Sequence, residues 1–114
     1  MAQGYALAGN HNGSAVDIFE NRIAYAEPKP SLRDVVRPGT TLVEGRWSRD
    51  VFRGYAYAFK TGCAPARYAV TGLRRENGDM IFTGPGPVRR GCEIVGYDAH
   101  SPHSRLVVDG IWSP

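Results

Sequence analysis

Val51-Phe52-Arg53-Gly54-Tyr55-Ala56-Tyr57-Ala58-Phe59-Lys60 is the stretch on which the fold turns. A helix face would place its apolar residues three and four positions apart. Here the large side chains recur at every second position, which is the period of a strand. Val51, Arg53, Tyr55, Tyr57 and Phe59 then share one face, and Phe52, Gly54, Ala56 and Ala58 share the other. Both faces carry apolar groups, so the strand can be covered on either side.

The neighbouring segments repeat the pattern. Thr40 to Trp47 reads as a strand joined to this one through Ser48-Arg49-Asp50. Arg67 to Arg75 reads as the next, and Met80 to Thr83 as its partner across Glu76-Asn77-Gly78-Asp79. Asn-Gly supplies the positive φ that a tight hairpin needs. Upstream, Val16 to Phe19 and Arg22 to Tyr25 read as a hairpin across Glu20-Asn21, with Val16, Ile18, Ile23 and Tyr25 as its apolar side chains. The residues before them, through Asn12-Gly13, show no period. Downstream, Cys92 to Tyr97 and Arg105 to Trp112 complete the set. Gly84-Pro85-Gly86-Pro87 is expected to lie outside any regular ladder, because each proline removes a donor. Ser31 followed by Leu32, Val35 and Val36 predicts one or two capped helical turns, ended by Pro38-Gly39.

These elements predict an all-β, mainly antiparallel fold: a small sandwich or barrel of about eight short strands with one short helical turn. Nothing in the composition marks a second domain, so residues 1–114 are expected to form one unit. The apolar content of 42% can fill a core, and the charged content of 22% is too ordinary for a disordered chain. Gly and Pro number 14 and 8 and fall between the apolar runs, as a chain of many turns requires.

Net charge is +3, carried almost entirely by arginine, since Lys29 and Lys60 are the only lysines. The charge is scattered; Arg74-Arg75 and Arg89-Arg90 are the only adjacent basic pairs. This favours anionic surfaces weakly and makes nucleic acid an unfavoured partner. No apolar run approaches the roughly 18 residues of a membrane helix, so no transmembrane segment is expected. Met1 to Gly9 lacks the basic and apolar regions of a signal peptide. The expected compartment is nevertheless periplasmic or secreted, with the leader absent from this chain, because of the cysteines. Cys63 and Cys92 each follow a glycine, and an isolated even pair outside any Cys-x-x-Cys pattern suits one structural disulfide. On a chain-entropy model that bridge would contribute about 3–4 kcal/mol.

Two constellations are candidates for chemistry. Arg53, Tyr55 and Tyr57 could form a ligand-binding stripe, stacking on sugar rings or on bases. Arg53-Gly54-Tyr55-Ala56-Tyr57 fits the opening of the RNP1 pattern, but Ala58 stands where valine is usual and Lys60 where an aromatic is usual. Aromatics bury large areas, so Phe59, Tyr55 and Tyr57 are expected in the core first and on a binding platform second. Trp47 and Trp112 are likewise expected to be buried. The other constellation is Asp98, His100 and His103, with His11 as a conceivable third imidazole. Its Ser-Pro context reads as a polar loop, so no metal or cofactor is expected there. A nucleophile–base pair, a carboxylate pair and a phosphate-cradling loop are all missing from the sequence, so no catalytic residue is nominated. The expected function is a small exported, non-catalytic binding or interaction module, with an envelope polysaccharide, a peptide or a protein as partner. The alternatives are an intracellular nucleic-acid-binding barrel, which needs the Tyr55 face exposed among arginines, and a small metal-dependent enzyme, which needs Asp98, His100 and His103 to converge.

Overall fold

The computed structural model describes residues 7–110. Its ten strands are β1 (Leu7–His11), β2 (Ser14–Ile18), β3 (Arg22–Glu27), β4 (Thr41–Ser48), β5 (Val51–Ala58), β6 (Ala66–Arg74), β7 (Met80–Thr83), β8 (Gly86–Arg90), β9 (Glu93–Asp98) and β10 (Arg105–Gly110). Eight of them close into an antiparallel barrel in the order β1-β10-β7-β6-β5-β4-β3-β2, and β8 and β9 form a separate two-stranded sheet. The chain meanders from β1 to β7, leaves the wall for the β8–β9 hairpin, and returns as β10 to pair with both β7 and β1. The all-β antiparallel expectation therefore takes the form of a closed barrel, which leaves its eight wall strands without an open edge. Among the described residues no helix is long and apolar enough to cross a membrane.

Side-chain alternation fills the interior. On β6, Ala66, Tyr68 and Val70 are buried while Arg67, Ala69 and Thr71 are exposed. On β5, the inward residues Phe52, Ala56 and Ala58 pair with Gly72, Tyr68 and Ala66 of β6. Phe52 thus faces Gly72 and Tyr68 faces Ala56, large against small, which helps an eight-stranded barrel to fill its interior. Val16, Ile23, Val43, Met80, Phe82, Leu106 and Val108 complete the filling. At one end Trp47, Phe52 and Phe82 meet edge to face, with centroids 5.3 Å apart for Trp47–Phe52 and 5.1 Å for Phe52–Phe82. The Arg74 guanidinium lies 4.4 Å from the Trp47 ring centroid. Trp47 is half-buried rather than enclosed, because it caps the barrel end under Arg74. Trp112 lies outside the described residues.

Three features depart from the sequence reading. β1 is a strand, joined to β2 through Asn12 and Gly13 at φ 48° and 88°. That is the Asn-Gly hairpin turn, and its leading strand is the one that closes the barrel. β8 includes Gly86 and Pro87, which pair with Asp98 and Tyr97 of β9. A proline is tolerated because β8 has a partner on one side only. The helical segment is a 3-10 turn over Pro30–Leu32 with no side-chain cap; Ser31 lies within it. Val35 and Val36 continue it by donating backbone N–H groups to Leu32 O.

Candidate functional site

β4, β5 and β6 run side by side, so their outward residues form registered rows. Tyr55 stands between Glu44 of β4 and Ala69 of β6, and Tyr57 stands opposite Arg67. The expectation that Tyr55 and Tyr57 are mostly buried is corrected here. Tyr55 is 41% exposed, and Tyr57 is half-buried. The cause lies in the interior, where Tyr68, Phe82 and Phe52 leave room only for the glycine and alanines of β5. Phe59 leaves the Tyr face because β5 ends at Ala58. It packs edge-on against Tyr25 at 6.1 Å and is partly buried against the core rather than enclosed in it as expected.

The three candidate binding residues sit on one outer face but in different settings. Tyr55 lines an open groove of about 380 Å³ together with Arg67, Tyr68, Ala69, Pro85 and Tyr97. The Arg67 guanidinium lies over the Tyr55 ring, 4.2 Å from its centroid, and restrains it by cation–π attraction. Tyr57 donates its hydroxyl to Glu44 Oε2. That bond, with some desolvation, raises the Tyr57 pKa. Arg53 is exposed one row away, opposite Arg46 and Thr71.

Sequence reasoning missed Arg67, Pro85 and Tyr97. Tyr97, 58% exposed, belongs to β9, so its place opposite Tyr55 depends on where the β8–β9 hairpin docks. The docking is specified chemically. Cys63 in the β5–β6 loop and Cys92 at the β8–β9 turn form a disulfide, with Cα atoms 5.1 Å apart. Arg89 donates to Ala64 O at 3.0 Å and to Ala58 O at 3.4 Å, and Lys60 Nζ donates to Gly91 O at 3.2 Å. These contacts fasten the hairpin beside β6 and so build one wall of the groove. They also commit both cysteines, leaving neither as a thiol nucleophile.

Asp98 ends β9, and His100 and His103 lie in the loop that follows it. Asp98 Oδ1 accepts the His100 backbone N–H at 2.9 Å, an Asx turn. His103 donates its backbone N–H to Ser101 Oγ, and its carbonyl accepts the Tyr68 hydroxyl at 2.6 Å. Among the described residues, no three His, Cys, Asp or Glu side chains group so as to hold a metal ion.

A smaller cavity of about 150 Å³ at the barrel end is bordered by His11 and His103. His11 Nδ1 donates to Val107 O at 2.9 Å. Burial lowers the pKa of both imidazoles from the ordinary 6.5, with Arg89 adding to the effect at His103. Burial also pushes the Tyr25 phenol, on the same cavity, up to about 12. A lowered histidine pKa means that the unfolded chain takes up the proton first on acidification. The associated stability is whole above pH 6.5 and falls as pH drops from there to the folded-state values. Melting temperature is therefore expected to decline on acidification below about pH 6.5, and His11→Gln to flatten that decline. Thermal scans from pH 8 to 5 on both proteins check it; parallel curves count against it.

Compared with family models, curated proteins and solved structures, the chain matches none.

Proposed function

We propose that this barrel is an exported, non-catalytic module that binds an extended saccharide in the groove between Tyr55 and Tyr97. The observation that carries this reading is the pair of exposed tyrosines, from β5 and β9, on one groove of about 380 Å³. A tyrosine presents an apolar face to the C–H side of a sugar ring and a hydroxyl to water, so it can stay exposed at little cost and still bind. Arg67 packed over one face of the Tyr55 ring restrains that side chain before a ligand arrives, which lowers the ordering cost of binding. Export is supported by the disulfide, a bond that persists in oxidising compartments. A peptide is the competing occupant, because Pro85 and two tyrosines also suit a polyproline-type segment.

A glycan array followed by calorimetry on the best hits tests the reading. Tyr97→Ala is expected to weaken saccharide binding by at least about tenfold, as for an aromatic anchor, with melting temperature unchanged. Binding indifferent to both Tyr55→Ala and Tyr97→Ala would overturn it, as would a preference for proline-rich peptides over every glycan.

A further inference from the structure

We infer that one end of the barrel is a second binding site, for a small single-ring hydroxy acid whose hydroxyl meets His11 and Tyr25 and whose carboxylate meets Lys29 and Arg105. The site is separate from the saccharide groove: its cavity of about 150 Å³ shares no lining residue with the groove between Tyr55 and Tyr97. The two ends of the barrel are filled differently. At one end the rings of Trp47, Phe52 and Phe82 close the interior. At the other, β5 ends on Ala58 and β6 begins on Ala66, both buried and both small. Ala58 lines the cavity, and Leu42, Phe59 and Leu106 add apolar wall. An eight-stranded barrel is just wide enough to hold one small ligand where its side chains leave room, and the mouths of barrels are favoured places for such sites. A cavity of this volume takes one benzene-sized ring.

The polar groups are graded from inside to outside. Tyr25 is 3% exposed and His11 7%, whereas Lys29 is half-buried and Arg105 is exposed. All four line this one cavity. Among the described residues the Tyr25 hydroxyl has no hydrogen-bond partner, and neither has His11 Nε2, since the bond to Val107 O is made by Nδ1. No side-chain polar atom of the described residues is both fully enclosed and unpaired. These two atoms therefore reach accessible surface, and for residues so deeply buried that surface is the cavity wall. A carbonyl only accepts, so His11 Nδ1 carries the proton. Burial, aided by the Lys29 charge, keeps the imidazole from taking a second proton at neutral pH. Nε2 is then a bare acceptor in need of a donor. A ligand hydroxyl supplies that donor and offers the Tyr25 hydroxyl an acceptor. An amine would also donate, but the outer groups select against it. Lys29 and Arg105 border the cavity, and among the described residues no carboxylate does. Asp109, whose charge also acts on His11, is exposed and outside the lining. Lys29 acts on His11 across the cavity wall they share, so one small molecule spans the inner and outer groups.

Calorimetry at neutral pH with 4-hydroxybenzoate, benzoate, phenol and 4-hydroxybenzylamine tests the assignment. The first probe carries both groups, the next two lack one each, and the last replaces the anion by a cation. 4-Hydroxybenzoate is expected to bind one to one, at least about tenfold more tightly than benzoate or phenol, with 4-hydroxybenzylamine the weakest. Tyr25→Phe keeps the ring and removes a hydroxyl that holds nothing in the fold. It is expected to melt as the parent does without ligand and to bring 4-hydroxybenzoate down to the affinity of benzoate. The Lys29→Gln, Arg105→Gln double variant is expected to bring it down to that of phenol. Arg75→Ala removes a cation in the β6–β7 turn, at the opposite end of the barrel, and is expected to keep the parent's affinity. Saturable binding of none of the four probes overturns the inference, as does 4-hydroxybenzylamine or benzoate bound as tightly as 4-hydroxybenzoate. A folded Tyr25→Phe protein that keeps the full preference for 4-hydroxybenzoate over benzoate overturns it too, and so does a glutamine double variant that still prefers 4-hydroxybenzoate to phenol.

Discussion

Phe82→Ala is expected to destabilise the barrel by about 3–5 kcal/mol, the range for removing a buried phenylalanine. Phe82 is 1% exposed and meets the Phe52 ring edge-on at 5.1 Å and the Trp47 indole at 6.4 Å. Its ring occupies the space that Gly72 leaves open: a Cβ on Gly72 would stand 2.6 Å from Phe82 Cδ1. Phe82 pairs with both Gly72 and Leu106, so its truncation opens a void between three strands that strand pairing holds apart. The lining cannot collapse without breaking the ladders, so the cost should sit in the upper part of the range. Urea melts should show a lower midpoint with an unchanged slope. A loss below about 1 kcal/mol would mean that the barrel end is not packed as described.

The same packing shows why the strands were legible and the burial of Tyr55 was not. Alternation in β5 states which residues share a face. It does not state which face points inward, because Tyr55 and Tyr57 on one side and Phe52, Ala56 and Ala58 on the other are all apolar enough to be buried. The decision lies in β6, where Arg67 and Thr71 must face water and Tyr68 and Val70 need not. Pairing Tyr57 with Arg67 and Ala56 with Tyr68 then turns the tyrosines outward. Register across a hairpin is thus the missing information, and it is not a property of either strand alone. β1 was illegible for a related reason. Leu-Ala-Gly-Asn-His carries little strand preference, and the segment is ordered by closure between β2 and β10, whose Asp109 and Gly110 lie about a hundred positions away. Asn12-Gly13 was the one local signal of it. The groove was half legible: Tyr55 and Arg53 stand out in the sequence, whereas Tyr97 reaches Tyr55 only through a hairpin placed by side chains of other loops.

That dependence makes the disulfide the most consequential covalent feature of the molecule. The Cys63→Ser, Cys92→Ser double variant is expected to lose about 3–4 kcal/mol of stability on the chain-entropy model, for a bridge whose ends are 29 residues apart. The loss should also be localised. An isolated two-stranded hairpin is marginal in water, and β8–β9 has no ladder to the barrel. Without the bridge, the hairpin keeps the Arg89 hydrogen bonds to Ala58 O and Ala64 O, the Lys60 hydrogen bond to Gly91 O, and the partial packing of Ile94 against the core. Hydrogen exchange should therefore accelerate first in residues 86–98, while β4 to β6 keep their protection. Saccharide affinity should fall with it, because Tyr97 and Pro85 form one wall of the groove. Cys92 is exposed, so a reductant should reproduce the phenotype in the parent protein. A double variant that keeps its melting temperature, or that loses protection uniformly around the barrel, would show that the hairpin is positioned by its noncovalent contacts or that the bridge acts on the whole fold.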